Sequence, residues 1–134
     1  MMTFREKSAA ASLAITAVAF AAYGFWAFAQ PRSAGDAVMT LIGIIIAQIV
    51  VQIIAHMLFA LQGRPEGVDE RDRVVERLAQ RNAYFVLFGS VWTVLAMALV
   101  AMPGLTIAYG LIATIVGAEL VRFASQLFYY RRGA

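Results

Sequence analysis

The chain has no cysteine. That excludes disulfides, thiolate nucleophiles and Cys-ligated metals. It leaves the compartment open, because a membrane helix bundle needs no disulfide. Charge is scarce as well. Only 14% of the 134 residues are charged, against about 25% in an ordinary globular domain. There is one histidine, His56, and no Ser/Asp partner pattern surrounds it. HExxH, paired histidines, aspartate clusters and a glycine-rich phosphate loop are all missing. No catalytic, metal or cofactor site is expected, and the chain reads as non-enzymatic. Proline occurs three times, at Pro31, Pro65 and Pro103, each between apolar runs where a breaker belongs.

What remains is apolar. Hydrophobic residues make up 62% of the chain, and the mean hydropathy is +0.76. A bilayer core needs about 20 apolar residues per helix. Four runs are long enough: Ala9–Ala29, Val38–Leu61, Ala83–Met102 and Leu105–Leu127. The expected fold is all-α, a polytopic bundle of four transmembrane helices forming a single domain over residues 1–134. It is arranged as hairpin, loop, hairpin.

Lys and Arg in short loops mark the cytoplasmic side. Arg5 and Lys7 precede the first run, and Arg64, Arg71, Arg73, Arg77 and Arg81 lie between the second and third. Arg122 lies toward the inner end of the fourth, and Arg131 and Arg132 lie beyond it. Only Arg32 lies in the first turn, and the Pro103–Gly104 turn has none. Both termini are therefore expected inside, in a bacterial inner membrane, with the bilayer as the first partner. Tyr23, Phe25, Trp26 and Phe28 then fall at an outer interface, and Tyr84, Tyr129 and Tyr130 at inner ones, where amphipathic rings prefer to sit. Ala27-Phe28-Ala29 after an apolar run also resembles a signal-peptide cleavage site. The run exceeds the usual h-region of roughly 7–15 residues, so a retained helix is expected.

The halves echo each other faintly. Lys7, Ser8, Ala9 and Thr16 align with Arg81, Asn82, Ala83 and Ser90, and Gln52, His56 and Gly63 with Arg122, Gln126 and Gly133. Both halves run in-out-in, so this would be a parallel repeat.

The one sizeable polar segment is GRPEGVDERDRVVERLAQRNAY. Asp69 is a good N-cap, and no breaker follows it. A helix over about 69–82, continuous with the third membrane helix, is expected. Asp69–Arg73 and Glu70–Arg73 are spaced to pair, and Val74, Val75 and Leu78 form an apolar stripe. Arginines and acids balance here, which opposes direct nucleic-acid binding and weakens a polybasic lipid site. Two readings stay open: a solvated, salt-bridged extension, or a docking site for a cytoplasmic partner formed by Asp69, Glu70, Arg73, Glu76 and Arg77.

VDERDRVVERLAQRNAY resembles the loop-to-helix segment of small uncharacterised bacterial four-helix inner-membrane proteins. In these a DER triplet precedes an Ile-Glu pair, a basic residue and the third helix. Asp69, Glu70, Arg71 and Glu76 fit that pattern, with Val75 in place of isoleucine, and the FREKSA opening is similar to some members. Their genes often lie beside helix-turn-helix regulators, so the resemblance implies a fold and a cytoplasmic regulator as partner. It implies no chemistry.

Ionisable groups at membrane depth cost about 2.5–3.5 kcal/mol at a helix centre on insertion scales, so they tend to face the bundle and pair. Gln48, Gln52 and His56 share one face of the second helix, and Glu119, Arg122 and Gln126 one face of the fourth. Glu119 and His56 lie within about two turns in depth, and Thr16, Ser90 and Thr93 could join their layer. Three readings stay open. Glu119 and Arg122 pair within their helix while the glutamines tie helices together. Alternatively, Glu119 and His56, whose charged forms burial disfavours, make a proton- or cation-responsive site of a small oligomeric transporter or channel. Or the polar groups meet at a homo-oligomer interface; Gly110, Thr114 and Gly117 give the fourth helix a close-packing face that suits the monomer's core or a homodimer equally well.

Overall fold

The computed structural model describes residues 4–29, 33–62 and 69–132. It has four helices: α1 (Phe4–Ala29), α2 (Ala34–Gln62), α3 (Glu70–Leu99) and α4 (Gly104–Arg132). No strand occurs among the described residues. All four helices are long and apolar enough to cross a membrane, the fold of a multi-pass, all-helical membrane protein. The chain separates into two compact units, Met1–Gly67 and Val68–Ala134. Each is a helical hairpin, α1 on α2 and α3 on α4.

The helices do not end where the apolar runs end, because capping chemistry sets their limits. α1 begins at Phe4, with Glu6 in its first turn, where a carboxylate meets the positive end of the helix dipole. α2 begins at Ala34, four residues before the apolar run. Ser33 caps it: the Asp36 N–H donates to Ser33 Oγ at 3.2 Å, and that hydroxyl donates to Asp36 Oδ2 at 2.9 Å. α3 begins with Asp69 as N-cap, as the sequence predicts. Asp72 completes a capping box, its Oδ2 accepting from the Asp69 N–H at 3.0 Å. From there α3 runs unbroken through the polar extension into its apolar part. α4 continues past Leu127 to Arg132, with Arg131 and Arg132 in the last turn, where cations suit the negative end of the dipole.

α3 stops at Leu99, short of Met102. The Met102 N–H donates to the Met97 carbonyl at 3.2 Å and the Ala101 N–H to the Ala98 carbonyl at 3.0 Å. These are the two bonds of a Schellman motif. The motif places Ala101 at φ 58°, a left-handed conformation that glycine usually fills. Pro103 follows, and its carbonyl accepts from Thr106 and Ile107 to open α4.

Each hairpin closes mostly on small side chains, with Tyr23 the large exception. In the first, Ala9, Ser12, Thr16 and Tyr23 of α1 are buried, with Ala37 of α2. In the second, Val75, Ala79 and Val94 of α3 and Thr114 and Ala118 of α4 are buried. Small residues let membrane helices approach closely. The large apolar side chains lie elsewhere: Ile46, Ile49, Ile53, Phe85, Phe88 and Trp92 are all exposed. A water-soluble monomer rarely leaves so much apolar surface open, and a bilayer solvates it.

Candidate functional site

The first hairpin holds a polar ladder. Thr16, only 1% exposed, accepts hydrogen bonds from Gln48 Nε2 at 3.0 Å and Gln52 Nε2 at 3.4 Å. Two turns along α1, Ser8 Oγ lies 2.7 Å from His56 Nε2. His56 Nδ1 lies 2.7 Å from the Gln52 carbonyl oxygen. A carbonyl only accepts, so Nδ1 carries the hydrogen. In the neutral ring Nε2 is then the acceptor, and the Ser8 hydroxyl donates to it. Gln48, Gln52 and His56 thus share the face the sequence predicts, and that face meets α1. The ladder ties two helices and leaves both imidazole nitrogens engaged.

In the second hairpin Arg122 Nη2 lies 2.8 Å from Glu119 Oε2, an i,i+3 pair within α4. The Arg122 guanidinium also sits 4.6 Å from the Phe123 ring centre, while its buried Nε has no hydrogen-bond partner among the described residues. Gln126 is half-buried on the same helix. Ser90 and Thr93 lie on α3. Their hydroxyls donate to their own helix, at the Val86 and Gly89 carbonyls, the local alternative open to a helical Ser or Thr. The glycines of α4 differ in what surrounds them. A Cβ on Gly110 would meet Val94 Cγ2 at 3.2 Å, whereas one on Gly117 would meet nothing within 4 Å. Thr114 and Ala118 are buried on the same helix, while Gly117 is left open.

The polar extension of α3 is held to the end of α4. Arg71 Nη2 donates to the Tyr130 carbonyl at 3.0 Å, and the Tyr130 hydroxyl donates to Asp72 Oδ1 at 3.2 Å. At the end of the polar extension, Asn82 Nδ2 donates to Ser125 Oγ at 3.1 Å and to the Tyr129 hydroxyl at 3.2 Å. Between these clamps Val75 and Ala79 are both 0% exposed. The apolar stripe is therefore Val75 and Ala79, with Leu78 half-buried. Val74 is exposed, because adjacent helical residues point about 100° apart.

Asp69, Glu70, Arg73, Glu76 and Arg77 are all exposed. The expected Asp69–Arg73 and Glu70–Arg73 pairs are not formed among the described residues. Asp69 instead accepts at the cap, its Oδ1 taking the Glu70 N–H at 2.6 Å, and Glu76 accepts from Gln80 at 3.3 Å. The extension thus has two faces: a clamped one of Arg71, Asp72, Val75, Ala79 and Asn82, and an open one carrying arginines.

Sequence reasoning missed Ser8, Asp72, Ser125 and the Tyr130 hydroxyl. Ser33-x-x-Asp36 and Asp69-x-x-Asp72 had a readable signal, the capping spacing. Ser8 had one too, since antiparallel helices juxtapose residues equidistant from their turn. The Arg71–Tyr130 contact is to a backbone carbonyl, which no side-chain pattern announces. Compared with protein-family models, curated proteins and solved structures, the chain matches none.

Proposed function

We propose that this chain is a small, non-enzymatic regulatory or accessory protein of a bacterial inner membrane. Its termini and its α2–α3 connection face the cytoplasm, and it acts through the open face of the α3 extension. The supporting observation is the division of labour on that extension. Arg71, Asp72 and Asn82 hold it against α4, while Glu70, Arg73, Glu76 and Arg77 stay exposed beside an exposed Val74. A helix fixed on one side and charged on the other is a preorganised surface, which lowers the ordering cost of binding. The strong inward bias of Lys and Arg supports the orientation.

The rival reading, an oligomeric transporter or channel using Glu119, His56 and Arg122, has less support. Glu119 is paired with Arg122, and both nitrogens of His56 are engaged. A photo-cross-linking residue at Val74 tests the proposal in cells. An adduct with a cytoplasmic protein is expected from Val74 and not from Ser33 in the opposite turn. No protein adduct from any exposed position of residues 70–81 would overturn it.

A further inference from the structure

No serine flanks His56 in the sequence, yet the fold brings one to it from 48 residues away. Ser8 Oγ lies 2.7 Å from His56 Nε2, and the Gln52 carbonyl holds the opposite ring nitrogen at 2.7 Å. The free lone pair of the neutral imidazole is thereby aimed at the Ser8 hydroxyl. Ser90, Thr93 and Thr114 instead donate to carbonyls of their own helices. A hydroxyl within reach of a base, with that base oriented by a third group, is the arrangement of an activated nucleophile. Ser8 and His56 are both half-buried. They stand about 6 Å from the start of α1 and about 9 Å from the end of α2 in helical rise, so the pair lies toward the open end of the hairpin. An open groove of about 460 Å³ runs against His56, lined also by Ile49, Gln52, Ile53, Met57 and Ala60. Ligand sites span about 300–1,000 Å³, and one with these walls suits an alkyl chain.

We propose that Ser8 is an acylation site, activated by His56, that takes a long-chain acyl group from a thioester. Ser8 Oγ bonds to the acyl carbon as the carbon–sulfur bond breaks. The hydroxyl proton passes to His56 Nε2 and from there to the departing thiolate. The products are an oxygen ester on Ser8, a free thiol and a neutral imidazole. A thioester is the donor class because its exchange for an oxygen ester runs downhill, whereas exchange between two oxygen esters gains nothing. The Gln52 carbonyl orients the imidazole but carries no charge to stabilise an imidazolium, as the aspartate of a triad does. The step is therefore slow and suits one modification per chain rather than turnover. It goes beyond the docking role of the α3 extension and does not depend on it.

The test incubates the full chain, in liposomes of dioleoyl phosphatidylglycerol, with palmitoyl-coenzyme A. The adduct is read by intact mass and peptide mapping. One palmitoyl group on Ser8 is expected, and none in S8A. In H56Q the rate should fall about a hundredfold, the lower end for loss of a general base. The glutamine amide can still hold the Ser8 hydroxyl, so a purely structural histidine would leave the rate unchanged. The site of the adduct in the natural chain tests the inference without any variant. No adduct, a palmitoyl group on Lys7 or Ser12 instead, or an equal rate in a helical H56Q would overturn it. An oleoyl group on Ser8 would make a lipid ester the donor and overturn the thioester.

Discussion

At the scale of single residues, the turn at Ala101 makes the sharpest statement. Its φ of 58° costs a residue with a Cβ roughly 1 kcal/mol, and glycine carries no such cost. Ala101→Gly should stabilise the second hairpin by about 0.5–1 kcal/mol, read by unfolding in mixed detergent. Ala101→Val should lose more than that, since β-branched residues tolerate the left-handed region worst. The Glu119–Arg122 pair gives a second expectation. Arg122→Gln leaves a carboxylate without its cation, so it should be more damaging than the double variant Glu119→Gln/Arg122→Gln. A coupling on the order of 1 kcal/mol is expected from the cycle, and additive effects would mean that the 2.8 Å contact carries no energy. Both groups were readable in the sequence as candidates. The choice between pairing and titration was not, because spacing permits an i,i+3 contact without requiring it.

At the scale of elements, two glycines of α4 differ in the room around them. Gly110→Leu should split the α3–α4 hairpin, because even a Cβ would stand 3.2 Å from Val94. Gly117→Ala should be tolerated or mildly stabilising, as open space surrounds it and alanine is the better helix former. Helicity and unfolding of the two variants check this, and an equal loss in both would contradict the packing. The four helices themselves were legible, since each apolar run exceeds the span of a bilayer. Their ends were harder to read. Hydropathy registers where lipid stops, whereas Ser33, Asp69 and the Ala101 turn set where hydrogen bonding stops. The faces of α3 were partly legible: Val75 was placed on the buried stripe, but so was Val74. Only a partner helix decides between two neighbours 100° apart.

At the scale of the whole molecule, the account makes the open face of the α3 extension a cytoplasmic working surface on a membrane-spanning chain. Of the six intramembrane polar residues chosen from the sequence, Gln48, Gln52 and His56 bond to Thr16 or Ser8 in the first hairpin, Glu119 and Arg122 bond to each other in the second, and Gln126 is half-buried there. Spacing along one helix shows which residues share a face, and it is silent on which helix that face meets. The natural chain has no cysteine, so single cysteines can be placed in it without background. The most direct measurement is labelling of Ser33→Cys, Gln80→Cys and Met102→Cys in intact cells with a membrane-impermeant maleimide. The account predicts that Ser33→Cys and Met102→Cys label from outside, and that Gln80→Cys labels only after the membrane is opened. Labelling of Gln80→Cys in intact cells would place the α3 extension outside and contradict it.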